Sequence, residues 1–518
     1  MPEFTFKGFS QSSPVALSVT QGANSASNSV SGWGQTAMGS ITIEATTQPN
    51  VVAPAPVWLS ATGVTDLVAT SSGGVYRDAA FHDFTYIWTV RGKPLAAADK
   101  PENMIPVWND PNIAYGRDVA FCLTDPGTYD IDVWAVDRDG TTAEGTVQIV
   151  VADADAIYPG ASTIALALDG DFTGAPNGAT LVASLSALYS VIDSRAAPTR
   201  ISLKRGEDLG ALRIITDGRL EHVDAWGTGD RPIVRQNIDL TSNGNVRGPI
   251  QLWRNSPSTQ LVVTNINFLG DYDPTTETGR VGLSPISIYE MNKQACDLMV
   301  HDCLISGWDA LRPDSGNFST RGGTSMVAHC SITDWGGFAI LYDAHIENKA
   351  AVIWSRLTQN PQALHGQSKP TMIGNIHGPI RFEDADTVYI AGNDMFSRTG
   401  WSGAPPGKAD QPCIRVNADG ALDTTYVIER NVLEGGNAVI SAVGQNGGTN
   451  DQPANHLYER NLLIATIKTY EGFLTSHQPC TVRNNIGIFF DADPDFTGVP
   501  GYQGGASGTQ FRPIIITP

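Results

Sequence analysis

The sequence has few charged residues, and basic residues are the scarcer kind. Charged side chains make up 17% of the 518 residues, and 53 acidic residues against 33 basic ones give a formal net charge of −20. A field of that sign repels phosphate backbones and anionic lipid. Nucleic acid and membrane surfaces are therefore not expected as partners.

Long apolar runs are also missing. No stretch reaches the ~18 consecutive apolar residues that a membrane span requires. The N-terminal segment from Met1 to Lys7 has neither the basic region nor the apolar core of a secretory signal. We expect a protein made in the cytoplasm without a signal peptide, which functions outside the cell after lysis or as part of a particle.

Cysteine is sparse and lacks the spacing of metal or disulfide motifs. Six cysteines stand far apart and form no CxxC pair, so buried free thiols are expected, and a Cys303–Cys330 disulfide is the less favoured alternative. No phosphate loop, nucleophile elbow, zinc-ligand pair or dinucleotide fingerprint occurs. We therefore expect no cofactor and no metal. The one alternative is Ca²⁺ held by Asp491, Asp493 and Asp495, where a solvated acidic turn is the favoured interpretation.

A six-residue frame recurs through the last two-thirds of the chain. It reads apolar-x-x-(Asn or Cys)-x-apolar, and its spacings run from the low twenties to the high thirties, as coils with variable loops on one flank would give. Asn tolerates left-handed backbone at a corner, and stacked amides can hydrogen-bond between coils. The central residues of the five copies are Cys303, Cys330, Asn393, Asn431 and Asn461.

Alternating apolar residues predict a β-sandwich over residues 48–152. The strands are expected around Trp58, Trp88, Val133 and Ile149. Residues 1–47 are rich in Ser, Gly, Asn and Thr and are interpreted as a short β-rich anchor or arm, with a flexible tail as the alternative.

A single amphipathic helix is expected at about 180–195, ahead of the repeats. Leu181, Leu185, Leu188 and Ile192 form one apolar stripe. The end of a solenoid needs a cap, and this helix is placed to provide it.

Two of these regions resemble known families. The strand ending in Trp88 and the segment from Pro126 to Gly140 resemble PKD-type immunoglobulin-like modules, although Val90-Arg91-Gly92 replaces their usual Asp-Gly-Asp. Such modules are usually spacers or weak binders.

The segment Lys204-Arg205-Gly206-Glu207, followed by Gly229-Asp230-Arg231-Pro232, resembles the opening coil of right-handed parallel β-helix proteins. Polysaccharide lyases, bacterial surface enzymes and phage tailspikes share that opening, and the chain also resembles gene-transfer-agent-like surface spikes. The expected fold is all-β: an anchor, a sandwich, and a right-handed single-stranded parallel β-helix over 153–518 with its capping helix. A homotrimer is a further expectation from the tailspike resemblance.

The candidate ligand site rests on an alignment of three segments counted from the repeat frames. It sets Arg312, Tyr342 and His365 side by side on consecutive coils, with the preceding leucines pointing inward. In a uronate lyase, arginine would neutralise the carboxylate, histidine would remove the proton and tyrosine would protonate the leaving oxygen. The alternative is a non-catalytic sugar-binding ladder. The expected ligand-binding neighbours are Asp314, Trp335, Asp343 and His345.

A second candidate is the carboxylate pair Asp384 and Asp386. Alternate residues of a strand share a face, so the two could act together in glycoside hydrolysis.

Together, the sequence features favour a spike or fibre of a phage-like particle that binds a bacterial surface polysaccharide of capsule type and attaches to the particle through its N-terminus. The alternatives are a depolymerase on the same scaffold and a non-viral adhesin or structural β-helix.

Overall fold

The fold was examined in a computed structural model of the chain. Its described residues are 39–62, 70–72, 75–77, 79–93, 95, 109–137, 140, 142–194, 199–216, 220–235, 248–254, 260–273, 284–290, 297–308, 323–335, 339–342, 348–358, 380–383, 387–396, 413–417, 425–435, 440–442, 455–465, 474–476, 480–489 and 512–515. Among them, no helix has the length and apolar character needed to cross a membrane.

The N-terminal region is a β-sandwich of a five-stranded and a three-stranded sheet. In spatial order, the strands of the first sheet are Gly39–Ser40 (β1), Thr142–Val151 (β10), Gly127–Val136 (β9), Thr85–Arg91 (β6) and Ile113–Tyr115 (β7). Those of the second are Thr42–Thr47 (β2), Ala55–Thr62 (β3) and Asp118–Leu123 (β8). A hairpin of Thr70–Ser72 (β4) and Val75–Arg77 (β5) and a short helix, Ala79–His82 (α1), complete it.

Period-2 alternation explains the first sheet. In β9, Tyr129, Ile131 and Val133 are buried while their neighbours are more exposed, as expected for a strand with one face on a core. The Tyr129 hydroxyl donates to the carbonyl oxygen of Asp125 (2.8 Å), a contact of the kind made by the tyrosine corner of immunoglobulin-type sandwiches. The paired strands begin at Gly39, ahead of the boundary expected at residue 48, because β1 pairs with β10 and β2 with β3.

The described residues after the sandwich form a parallel β-helix, as predicted, and its coils have three faces. One face is a twelve-stranded sheet that begins beside Ala154–Ile157 (α2) and the 3₁₀ turn Gly160–Ser162. Its strands are Thr163–Leu166 (β11), Thr180–Val182 (β12), Thr199–Lys204 (β13), Leu220–Trp226 (β15), Gln260–Thr264 (β18), Asp297–His301 (β21), Gly323–Ala328 (β23), Asn348–Ile353 (β26), Thr387–Ala391 (β29), Thr425–Glu429 (β32), Asn455–Glu459 (β35) and Cys480–Arg483 (β38).

The second face is a ten-stranded sheet. Its strands are Ile233–Arg235 (β16), Asn267–Leu269 (β19), Leu304–Ser306 (β22), Ser331–Thr333 (β24), Arg356–Thr358 (β27), Asp394–Phe396 (β30), Val432–Gly435 (β33), Leu462–Ala465 (β36), Ile486–Phe489 (β39) and Arg512–Ile515 (β40).

The third face, here called the third sheet, is made of a three-stranded and a five-stranded segment. Its strands are Ile214–Thr216 (β14), Ile250–Arg254 (β17), Ile286–Glu290 (β20), Ile340–Tyr342 (β25), Ile380–Glu383 (β28), Ile414–Asn417 (β31), Ile440–Ala442 (β34) and Leu474–Ser476 (β37). The core of the solenoid lies between the three faces and is filled by their inward Ile, Val and Leu side chains.

The predicted repeat frame is confirmed as the corner between the twelve-stranded and ten-stranded sheets. Strands β21, β23, β26, β29, β32 and β35 pair in register, and the strands that follow each of them also pair in register. The five predicted residues therefore occupy equivalent corners. Two residues make each of these corners, and Ser355 holds the equivalent position in the remaining coil.

The expected role of asparagine at this corner was half right. The left-handed residue is the first of the two corner residues, directly before the Asn or Cys of the frame. Examples are Asp302 (φ 47°), Arg430 (φ 52°) and Arg460 (φ 56°). The asparagine instead supplies a ladder: the Asn431 side chain accepts from the backbone N–H of Asn393 (3.0 Å) and donates to the carbonyl of Ile390 (2.9 Å). Asn461 and Asn485 repeat this pattern on the next coils.

The cysteines at the corner are buried free thiols, as expected. Cys303 and Cys330 are both free, and the Cys330 thiol lies 3.6 Å from the carbonyl oxygen of Val300. That carbonyl is equivalent to those that accept from asparagine amides further along the corner, so the small thiol fills the same place in the stack.

The capping helix is Leu185–Asp193 (α3), shorter than the expected 180–195. Ser184 caps its N-terminus through a side-chain bond to Ala187 N. Leu188 is buried in the solenoid core, and the helix packs on β11, β12 and β14 at the first coils. Leu181 was wrongly placed in its stripe. It belongs to β12 and is 52% exposed.

Candidate ligand-binding face of the solenoid

The outer face of the twelve-stranded sheet is covered by the sandwich. Strand β8 lies against β26, β29 and β32, and α1 lies against β35. One register-matched row of apolar side chains points outward from the solenoid into the sandwich. We call it the covered row: Val262, Met299, Met326, Ala351, Tyr389, Val427 and Leu457.

This contact explains why β8 lacks alternation. All six of its residues are buried, because one side of the strand faces the sandwich core and the other faces the covered row. Gly116, just before β8, has φ 110°, and a Cβ there would lie 3.0 Å from the Val427 side chain. The loop can approach the solenoid this closely only with glycine.

Buried charges cross the same interface. Glu429 is fully buried and accepts from the backbone N–H of Tyr115 (3.0 Å), from the Tyr389 hydroxyl and from Arg430 (3.2 Å). Arg430 donates to the carbonyl of Asp110 (2.8 Å). Burial and the neighbouring Glu429 raise the pKa of the Tyr389 phenol well above its usual value. The hydroxyl therefore stays protonated and donates to the carboxylate.

Two arginines of the solenoid, Arg430 and Arg460, lie against the ring of Tyr115 in the sandwich. The Arg460 guanidinium lies 3.7 Å from the Tyr115 ring centroid, and Arg430 lies 5.5 Å from it. Further along, Arg483 bridges Glu459 (2.8 Å) and the Thr85 hydroxyl (3.1 Å). These contacts fix the sandwich on the solenoid, so the covered row is closed to an extended ligand.

The third sheet is a different face of the same coils. Its inward positions include Ile340, Ile380 and Ile414, all in the solenoid core. By the alternation of a strand, the position after each belongs to the outer face of the sheet. We call these paired positions the open row: Leu341, Arg381, Arg415, Ser441 and Thr475.

Connections of very different length run into the third sheet. They span 236–249 before β17, 270–285 before β20, 359–379 before β28 and 397–413 before β31. The corner between the twelve-stranded and ten-stranded sheets, by contrast, has two residues in every coil from β18 to β39. The coils therefore keep one corner constant and vary at another. Variable connections beside a regular sheet are where solenoids commonly place binding residues.

The predicted alignment of Tyr342 with His365 is wrong. Strand β25 pairs with β28, and the residue opposite Tyr342 is Phe382. Its core residue is Ile340, whereas the alignment required position 341 to point inward. The coil after β25 is longer than the alignment assumed, so His365 falls in the connection between β27 and β28.

Trp335 is not available to a ligand. It is 1% exposed and lies in the solenoid core together with Trp308, so its predicted place on a groove wall is corrected. Both tryptophans stand at the same offset from Cys303 and Cys330, and that repetition was the sequence signal for an inward stack. The other predicted site residues lie outside the described residues: Arg312, Asp314, Asp343, His345, His365, Asp384 and Asp386.

Two further histidines lie where the sandwich meets the solenoid. His301 ends β21 and His329 is a corner residue of the next coil; their ring centroids are 5.2 Å apart, and both face Cys122 of β8. Sequence reasoning missed this group because no motif spacing joins residue 122 to residues 301 and 329.

No family model matches the chain, and no curated protein matches it. Among solved structures, a family 28 exopolygalacturonase of Yersinia enterocolitica is similar over 92% of this chain and 84% of its own, at 12% identity and a TM-score of 0.26. The similarity is too low to transfer a residue role to this chain.

Proposed function

We propose that the chain is a surface spike or fibre of a phage-like particle that binds an acidic polysaccharide of the bacterial surface along the open row. The observation that carries the proposal is the contrast between faces: the sandwich closes the twelve-stranded sheet and leaves the third sheet, with its variable connections, as a long regular surface. Adjacent strands are ~4.8 Å apart, so five paired positions follow an extended chain over roughly 20 Å.

The acidic character of the ligand is proposed from Arg381 and Arg415. They occupy paired positions on adjacent coils, in a chain with a net charge of −20. Two arginine positions at one strand spacing suit carboxylates on neighbouring sugars, because arginine binds carboxylate oxygens in a planar, two-donor geometry.

Binding is tested with the full chain and a panel of purified acidic and neutral capsular polysaccharides. The expected result is binding to an acidic member that weakens as salt is raised. Arg381→Ala and Arg415→Ala should each reduce it, whereas Arg91→Ala on the sandwich should not. Equal binding to neutral glycans, unaffected by either open-row variant, would refute the proposal.

A depolymerase on the same scaffold is the second candidate. Asp384 and Asp386 come within three residues of the end of strand β28, which carries Arg381, and paired carboxylates are the groups that glycoside hydrolysis needs. Incubation with the bound polysaccharide should then release reducing ends for a hydrolase, or an unsaturated product for a lyase. If the bound glycan stays intact for many hours, the depolymerase role is excluded and only the binding role remains.

Particle attachment is proposed for residues 1–38. Residues 39–47 are strands of the sandwich, so a deletion that tests attachment must stop before Gly39. Removal of 1–38 should leave a folded, glycan-binding protein that no longer incorporates into particles. Normal incorporation of the shortened chain would disprove this role.

A further inference from the structure

Three strong transition-metal ligands meet where the sandwich touches the solenoid. The Cys122 sulfur and one ring nitrogen each of His301 and His329 all lie within 4.8 Å of one another. Cys122 comes from β8, His301 ends β21, and His329 is the left-handed corner residue of the next coil. The fold thus gathers the group from two domains and two coils.

We propose that Cys122, His301 and His329 bind one Zn²⁺ ion that ties the sandwich to the solenoid. Thiolate and imidazole are the donors that zinc prefers. Zinc bonds of 2.0–2.3 Å place tetrahedral ligand atoms about 3.3–3.7 Å apart. The three ligand atoms, all within 4.8 Å of one another, are within about 1.5 Å of that spacing. His301 and His329 are only partly buried, which leaves room for water as the fourth ligand.

One ring already has the partner that a ligating histidine normally has. His301 Nδ1 is hydrogen-bonded to the Thr264 hydroxyl (3.0 Å) on the preceding coil. With Nδ1–H donating to that hydroxyl, Nε2 is the nitrogen that carries the free lone pair. Such a bond fixes the tautomer and the ring orientation of a metal ligand.

The charges around the group set its protonation. Burial, followed by His329 and Arg231, holds the pKa of His301 well below its usual value, so the ring is neutral and able to bind. Arg231 is itself paired with the Asp302 carboxylate. Burial and the nearby Asp125 raise the pKa of the Cys122 thiol. Zinc binding must therefore displace the thiol proton.

The proton displacement gives a signature. Below the pKa of the thiol, the apparent affinity should rise about tenfold for each pH unit, because one proton leaves for each ion bound. If zinc bound only to surface carboxylates, its apparent affinity would stop rising with pH above pH ~5, where those groups are already ionised.

The experiment uses the full chain, stripped with a chelator and titrated with Co²⁺ as an optical probe and then with Zn²⁺ as a competitor. We expect one ion per chain, a sulfur-to-cobalt charge-transfer band, and a melting temperature that rises with Zn²⁺ concentration. A chain that shows neither band nor one-to-one binding would overturn the proposal.

The variants are chosen to keep the fold. Cys122→Ala suits a buried site, and His329→Asn keeps a residue that tolerates left-handed backbone. Each should abolish the band or lower affinity at least about 100-fold, since even outer-shell losses cost 10–100-fold. Thr264→Val should cost about tenfold. Cys413→Ala, in the solenoid core, is the matched control and should bind normally. Binding that survives both Cys122→Ala and His329→Asn would assign the ion to another site.

Discussion

The twelve-stranded sheet and the third sheet belong to the same coils and differ in what lies outside them. The first meets a sandwich through the apolar covered row and the buried pair Glu429–Arg430. From β18 onward it turns into the next sheet through a two-residue corner. The third sheet has the open row and connections of variable length. One side of the coil therefore holds the sandwich and the solenoid together, while the connections on the other side are free to vary in length. Substitutions on the two sides should therefore act on different properties.

The largest effect is expected from breaking the buried charge pair of the covered side. Glu429→Ala leaves Arg430 buried without its carboxylate and should lower the free energy of unfolding by about 3–5 kcal/mol. Chemical denaturation measures it, with Glu144→Ala on an exposed position of β10 as the control. If both variants unfold at the same denaturant concentration, the interface does not contribute to stability.

The second largest loss of stability is expected from the asparagine ladder at the corner between the twelve-stranded and ten-stranded sheets. Asn431→Ala removes the partner of a buried N–H and of a buried carbonyl, and it should cost about 2–4 kcal/mol. Cys330→Ala loses only a small buried group and should cost about 1 kcal/mol. Denaturation midpoints compare the two. Similar losses would mean that the amides add nothing beyond volume.

Acid should destabilise the protein through His456, a buried residue of β35 in the twelve-stranded sheet. Burial lowers the pKa of His456 to about 3, and its ring is hydrogen-bonded to the Tyr458 hydroxyl. The unfolded chain has the ordinary pKa near 6.5 and so takes up the proton first. Stability should fall as the pH drops below ~6.5 and continue falling to about pH 3. The loss reaches about 2 kcal/mol at pH 5.

The His456 contribution is isolated with His456→Phe, measured between pH 5 and 7.5. The variant should lose stability less steeply over that range than the parent chain. Identical slopes would show that the acid sensitivity comes from other groups.

The smallest change in stability is expected on the open side. Arg381→Ala should alter the free energy of unfolding by less than about 0.5 kcal/mol, while glycan affinity falls about tenfold, or ~1.4 kcal/mol. Thermal unfolding and glycan titration of the same sample separate the two properties. A large loss of stability with unchanged affinity would reverse the assignment of the two faces.

The sequence predicted the features that repeat locally. The frame around Asn393 and Asn431 carries its own signal, because each coil needs the same corner residue for the same hydrogen bonds. The alternation in β9 and the apolar stripe of α3 work in the same way. The tailspike and PKD resemblances remain predictions.

What the sequence could not supply are contacts between distant segments. Nothing near Cys122 indicates that His301 will face it, and nothing in β29 shows that Tyr389 points into another domain. The alignment of His365 with Tyr342 failed because connection lengths on that flank carry no periodic signal. Trp335 was misplaced because a tryptophan fits a sugar-binding surface as well as a core, and only its match with Trp308 at the same offset from the frame favours the core.

The two-residue corner also has a consequence for how such a molecule can change in length. Since the coils from β18 onward enter and leave this corner in the same way, duplication or deletion of one of them should keep the register of those on either side. Each such event would lengthen or shorten the rod by ~4.8 Å. The corner thus makes the coil a unit of length that can be added or removed without redesign of the core.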